Sequence, residues 1–124
     1  MSIPAIRFTA RIISGSARGR TLGVPTLNLD LSDVPKDLQD GVFACRAIVD
    51  GKSYPATMHN GPRPTFGDVR SCEVHLIDHV LPTTPLAVEV EVAQWLRGIS
   101  KFPSAEALQK QMNADIAEAR KVLN

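Results

Sequence analysis

Cysteine and aromatic residues are scarce in this chain, which has two of the former and one Trp, one Tyr and four Phe among 124 residues. Two isolated cysteines with no secretory pattern around them are expected to be reduced core thiols rather than a disulfide framework. Cys45 and Cys72 both lie in apolar, strand-like runs. There is no Cys-x-x-Cys pair, and His75 and His79 stand four apart in extended sequence, too far for one ion, which argues against a zinc site. A surplus of one charge is missing as well: 14 basic and 13 acidic side chains leave a formal +1. That removes the bulk electrostatic case for a nucleic-acid binder, and so few aromatics leave little for bases to stack on. No apolar run reaches membrane-spanning length, and Met1 to Ala5 lack a basic-then-apolar leader pattern. The expectation is a cytoplasmic protein that engages neither membrane nor nucleic acid. With no repeat, linker or low-complexity tract, residues 1–124 should form one domain, large enough to bury a core of its own.

What is present begins with Gly15 to Asn28. Gly15, Gly19 and Gly23 let backbone and ligand approach closely, and Arg18 and Arg20 add two permanent positive charges suited to phosphate. Pro25 ends the loop. Thr26 and Asn28 follow, on one face of an extended segment, with oxygens of the kind that hold magnesium beside a nucleotide. No Gly-Lys-Ser/Thr follows the glycines, so this is not a Walker loop. On its own the stretch also reads as an ordinary surface turn.

The rest of the chain alternates in the manner of strands. Arg7 to Ser14 places Phe8, Ala10 and Ile12 on one face, and Asn28 to Leu31 alternates again. Gly41 to Val49 is followed by Asp50-Gly51, a strong hairpin signal, and then by Lys52 to Met58, where Pro55 suggests an edge or bulge. His59 to Asp68, broken by Gly61, Pro62 and Pro64, reads as a constrained loop. Ser71 to Asp78 sets Cys72, Val74 and Leu76 against Glu73, His75 and Ile77. In the strand from Leu86 to Val92, Leu86, Val88, Val90 and Val92 point inward while Glu89 and Glu91 are solvated. Past Trp95 the period lengthens. Ser104 caps a helix in which Leu108, Met112, Ile116, Ala119 and Leu123 recur at steps of three and four, expected as core positions. Six short strands and a terminal helix predict a mainly β fold, a small closed antiparallel barrel with the helix packed on it.

Glu73 is the best candidate for acid–base work, since it sits mid-strand on the face opposite the apolar set. An exposed strand glutamate is the alternative reading. No nucleophile elbow or serine–histidine–aspartate arrangement is supported by motif.

Taken together, the motifs carry a resemblance. The glycine loop leading into Val24-Pro25-Thr26-Leu27-Asn28 resembles the Pro-Thr-Ala-Asn signature of riboflavin kinases. Asn60 to Phe66 is similar to that family's Gly-x-Arg-Pro-Thr-Phe loop, and Glu73 to Asp78 to its glutamate strand. Leu96-Arg97, Phe102-Pro103-Ser104 and the helix ending Asp115 to Arg120 match its close. The resemblance implies a six-stranded Greek-key barrel that transfers the γ-phosphoryl group of ATP to the 5′-hydroxyl of riboflavin, giving FMN and ADP with magnesium present. It implies Glu73 as general base, Thr26 and Asn28 as magnesium and nucleotide ligands, and Gly15, Ser16, Arg18, Gly19 and Arg20 as the nucleotide loop. Arg97 and Phe102 would meet the flavin, and the chain would act as a monomer. Departures include Leu27 for the signature alanine, Ala17 for a loop glycine, Leu81 to Pro85 where the family has Tyr-Gly, and Gly98-Ile99 for Pro-Glu. Two other classes stay open: a non-catalytic flavin or nucleotide sensor on the same barrel, and an OB-like nucleic-acid module.

Overall fold

A computed structural model describes residues 6–13, 26–64, 67 and 69–124. Among these residues six strands, β1 (Ile6–Arg11), β2 (Thr26–Asn28), β3 (Gly41–Val49), β4 (Lys52–Arg63), β5 (Val69–Leu76) and β6 (Ala87–Arg97), precede one α-helix, α1 (Ala105–Leu123), with a short 3-10 turn at Leu31–Asp33. They form one antiparallel sheet in the order β1-β6-β3-β4-β5-β2. Three consecutive strands, β3, β4 and β5, lie side by side and β6 returns to the far side of β3, which is the Greek-key order.

The expected closed barrel does not form; the sheet is an open half-barrel. Its end strands, β1 and β2, share no ladder and touch only just beyond their ends, at the Ile12–Leu29 bridge. Two backbone bonds hold that bridge, Ile13 N–H to Asn28 O at 2.9 Å and Asp30 N–H to Arg11 O at 2.8 Å. β2 is only three residues long, and its pairing with β1 is limited to the single bridge just past its end.

Alternating apolar residues fill the concave side with Ala10, Leu27, Phe43, Cys45, Met58, Cys72, Val74, Val88 and Val90, all buried. Both cysteines are free thiols. Burial pushes them toward the neutral form, Cys72 up to about 12 and Cys45 further. A second, smaller cluster lies on the convex side, where Ala44 and Ile77 meet Ala119 of α1, flanked by Leu96 and Ile116. The helix therefore packs on the outside of the sheet. Ser104 Oγ accepts from Ala107 N–H at its start, with Glu106 in the first turn and Arg120 and Lys121 in the last, as the dipole favours.

Several local expectations are corrected. The Asp50-Gly51 hairpin holds, both residues having positive φ of 50° and 79° as its tight turn needs. β4, however, runs on through Gly61 and Pro62 to Arg63, so His59 stands on a strand and not in a loop. Neither proline breaks the ladder, for a geometric reason. Pro55 O accepts from Ile77 N–H at 2.9 Å, so its nitrogen also faces β5, just past the last pair, Ala56 with Leu76. Pro62, an odd number of residues on, faces β3, whose pairing has already ended at Gly41 with Asn60. Leu86 is 90% exposed and lies before β6 rather than in the core. Glu89 and Glu91 are not simply solvated: Arg7 pairs with both, and Arg46 reaches Glu91 at 3.5 Å. Arg11 is likewise engaged, by Asp33 at 2.8 Å.

Candidate functional site

The convex face of β2, β5 and β4 carries a small grid of polar side chains. Antiparallel register sets Asn28 of β2 beside Glu73 of β5, and Glu73 beside His59 of β4. One step along, Thr26 stands beside His75 and His75 beside Thr57. Directly opposed residues of neighbouring strands share a face, with Cβ atoms about 5 Å apart. Period-two alternation thus turns Thr-x-Asn, Glu-x-His and Thr-x-His into one surface, while Leu27, Val74 and Met58 between them go to the core.

A cavity of about 250 Å³ opens between this grid and α1. Thr26, Thr57, His59, Glu73 and His75 form its floor, with Val42, Arg63 and Pro64 beside them. β6 supplies Arg97 at its end, the segment after it Ile99, Ser100 and Phe102, and the helix Leu108, Met112 and Asp115. The sheet contributes carboxylate, hydroxyl and imidazole groups; the helix and the segment before it contribute mostly aliphatic and aromatic carbon, together with the Arg97–Asp115 pair. Such a site suits a ligand with a flat apolar body and a polar tail.

Glu73 is mostly buried, its side chain 23% exposed, and one of its two oxygens is spoken for. Ser71 Oγ donates to Oε2 at 3.1 Å, and Arg63 Nη1 lies 3.3 Å from the same oxygen. Among the described residues Oε1 has no hydrogen-bond donor, so it can take a proton from a ligand while Oε2 keeps the carboxylate fixed. Thr26 Oγ1 lies 3.2 Å from His75 Nδ1. Burial holds His75 below the usual imidazole range, so the ring is neutral near pH 7 and Nδ1 can accept the Thr26 hydroxyl proton. That arrangement turns the lone pairs of Oγ1 away from the ring and leaves them for a cation.

At the other end, Arg97 is held in a fork by Asp115. Nε donates to Oδ1 at 2.9 Å and Nη2 to Oδ2 at 2.8 Å, while Nη1 donates to Gly98 O at 3.0 Å. Gln111 Nε2 adds a third bond to Oδ1 at 3.0 Å. The guanidinium also lies 5.7 Å from the centre of the Phe102 ring. β6 and α1 are thereby fastened to one another beside the cavity.

The structure brings four of the expected site residues, Thr26, Glu73, Arg97 and Phe102, to one cavity. Asn28 stands on the same face at its border, paired with Glu73. Gly15, Ser16, Arg18, Gly19 and Arg20 lie outside the described residues, just ahead of β2. Leu108 and Met112, expected in the core, instead wall the cavity, because the first half of α1 lies over the polar grid and its second half, from Ile116 to Leu123, packs on the sheet. His59 and Thr57 were given no site role from sequence, nor were Asp115 and Arg63, although Arg63 stands in the Asn60 to Phe66 motif. The period-two run through Thr57 and His59 was available for the first two once β4 is carried past Met58. Nothing local in the sequence pairs Asp115 with Arg97. Among the described residues no three His, Cys, Asp or Glu side chains gather to hold a metal ion.

The family model for riboflavin kinase (flavokinase) matches residues 4–123. The chain belongs to the riboflavin kinase family. A bifunctional riboflavin kinase/FMN adenylyltransferase of Pseudomonas fluorescens is 37% identical over 116 residues, which cover 92% of this chain and 37% of that protein. This chain thus spans little more than a third of the length of the bifunctional relatives it matches. Among solved structures, a chain described as a macrolide-efflux protein from Streptococcus pneumoniae shares the fold at a TM-score of 0.75 with 30% identity, over 94% of this chain and 38% of that one. Riboflavin kinase from Trypanosoma brucei, at 19% identity, shares the fold at a TM-score of 0.62 over 99% of this chain and 82% of its own. No helix among the described residues is long and apolar enough to cross a membrane.

Within the riboflavin kinase family the departures of this chain fall into place differently. Leu27, which stands for the signature alanine, is fully buried in the concave core and points away from Thr26 and Asn28. Ile99, which stands for a glutamate, lines the cavity, so that departure does change the surface a ligand meets.

Proposed function

We propose that this chain phosphorylates riboflavin, transferring the γ-phosphoryl group of a nucleoside triphosphate, ATP by preference, to the ribityl 5′-hydroxyl to give FMN and the nucleoside diphosphate. The observation that carries this reading is the cavity itself, to which the sheet brings Glu73 and Thr26 and the helix with the segment before it brings Phe102, Ile99, Leu108 and Met112. An isoalloxazine ring suits the apolar wall, and its ribityl tail then runs toward Glu73. Oε1 of Glu73 accepts the proton of the 5′-hydroxyl as its oxygen forms the new bond to phosphorus, and the bond to the nucleoside diphosphate breaks. General-base help of this kind is worth about 10² to 10⁴ in rate. Holding the hydroxyl in line with the phosphoryl group supplies much of the remainder.

Thr26 and Asn28 fit a magnesium ion shared with phosphate: both are neutral hard-oxygen donors on one face of β2, half-buried, and a Thr26 hydroxyl that donates to His75 Nδ1 would keep its lone pairs for the ion. When bound there the ion neutralises charge on the phosphates. Gly15, Ser16, Arg18, Gly19 and Arg20 would cradle the same phosphates from the segment ahead of β2. Arg97 and Phe102 would close over the flavin. We read the unit as a monomer working in the cytoplasm, where the triphosphate is supplied.

Glu73→Gln tests the assignment. It keeps the shape and the Ser71 contact but cannot take the proton. FMN formation should fall at least 100-fold with an unchanged melting temperature; a wild-type rate would remove Glu73 from the base role.

A further inference from the structure

Among the described residues the Thr26 hydroxyl has a single hydrogen-bond partner, His75, whose Nδ1 lies 3.2 Å from Oγ1. Register fixes the pair: His75 of β5 stands between Thr26 of β2 and Thr57 of β4, on the face that floors the cavity. Thr26 and His75 are both half-buried. A hydroxyl has one proton and two lone pairs, and a neutral imidazole has one N–H and one bare nitrogen. The contact therefore has two forms with opposite consequences. With the ring proton on Nδ1 the ring donates, one lone pair of Oγ1 is consumed, and the hydroxyl proton is left to point elsewhere. With the ring proton on Nε2, Nδ1 accepts the hydroxyl proton and both lone pairs of Oγ1 stay free.

A cation held by Oγ1 discriminates between the two forms. It needs a lone pair and repels the hydroxyl proton, which then needs an acceptor; Nδ1 is the acceptor within reach. We propose that His75 is a positioning residue for Thr26: it takes the hydroxyl proton on Nδ1 and so makes that side chain a cation ligand, coupling the ring's tautomer to occupancy of the metal and phosphate site. The proposal rests on the magnesium reading of Thr26 and Asn28 and adds to it a residue that acts through the hydroxyl and not on the ion. The coupling runs both ways: a bound ion selects the Nε2–H form, and a ring held in that form binds the ion more tightly. Partners that orient the ligands of a metal are worth about 10- to 100-fold in affinity, and the lower end applies where phosphate oxygens hold the ion as well.

The test is calorimetric titration of the protein with ADP at about pH 8, where imidazole is ordinarily neutral, once with magnesium and once with EDTA. His75→Phe keeps a ring but has no acceptor, and His75→Asn restores one at the place of Nδ1; His75→Leu replaces the Phe variant if that one does not fold. The acceptor-free variant should bind ADP about tenfold more weakly with magnesium and as wild type does in EDTA, while His75→Asn should recover to within about twofold. Thr26→Val removes the hydroxyl, and adding His75→Phe to it should cost nothing further, because His75 acts only through that hydroxyl. Nitrogen NMR of isotope-labelled histidine rings in the Mg-ADP complex reads the tautomer with no substitution: Nδ1 of His75 should be bare and Nε2 protonated. Unchanged binding with magnesium in the acceptor-free variant overturns the proposal. So do an equal loss in EDTA, which would mark His75 as packing, additive losses in the double variant, and a protonated Nδ1 in the complex. If Thr26→Val itself binds Mg-ADP as wild type does, the magnesium reading falls instead, and the His75 role with it.

Discussion

Removing Arg97 should cost the fold more than removing its partner Asp115, although each substitution deletes the same two hydrogen bonds. The side chains are 22% and 8% exposed, with bonds of 2.9 and 2.8 Å. Stranding one member of a fully buried pair costs about 3 to 5 kcal/mol, because the remaining charge has lost its water as well as its partner. Here the two partners differ in what is left to them. After Asp115→Ala, Arg97 still reaches solvent, Gly98 O and the face of Phe102. After Arg97→Ala, Asp115 keeps only the Gln111 amide. We therefore expect about 2 to 3 kcal/mol for Arg97→Ala and about 1 to 2 kcal/mol for Asp115→Ala. With an unfolding entropy of about 2.1 cal/mol/K per residue, the larger loss lowers the melting temperature of a chain this size by about 8 to 12 °C. Calorimetry or urea unfolding of both single variants and the double variant measures the asymmetry and the coupling, expected at about 1 to 2 kcal/mol. A loss below about 0.5 kcal/mol for Arg97→Ala, or zero coupling, would refute the reasoning and reduce the fork to an ordinary surface ion pair.

Two further outcomes follow from the same structure. The Arg11 guanidinium and backbone N–H bind the Asp33 carboxylate and hold it at about 2, well below the usual aspartate range. A depressed folded value means that this contact stabilises the protein above about pH 4 and that its contribution is lost as pH falls from about 4 toward 2. A carboxyl NMR titration should give that midpoint, and Arg11→Ala should raise it toward the ordinary value; an unmoved midpoint would contradict the assignment. Gly41 has φ of +149°, and a Cβ there would overlap the Trp95 indole nitrogen and sit 2.6 Å from Arg97 O. Gly41→Ala should therefore cost about 2 kcal/mol or more in urea unfolding, and a neutral result would mean that the start of β3 can shift away from β6 freely.

The sequence made most of the fold legible where a periodicity had an unambiguous boundary. Gly41 to Val49 ends at a turn that only Asp-Gly chemistry makes easily, and α1 begins at a serine whose side chain caps it. Legibility failed where a local rule was overridden by a neighbour's absence. Pro62 reads as a breaker, yet it costs β4 nothing because the strand it faces has already ended. Closure of the barrel failed likewise, since alternation says which face is buried but not whether two end strands are long enough to pair. Of the site, Thr26 and Glu73 were visible because each sits at a motif. The place of His59 beside Glu73 and the Arg97–Asp115 fork were not, because both depend on which side chains the sheet and helix bring opposite one another. Leu108 and Met112 show the limit of helical spacing: it identifies the apolar stripe but not whether that stripe meets a core or a ligand.

Incubation of the purified protein with riboflavin and Mg-ATP, with separation of the flavins by chromatography, addresses the central claim. The account predicts FMN and ADP appearing in equal amounts. Riboflavin that is bound but recovered unchanged, with ATP and with every other nucleoside triphosphate offered, would contradict it.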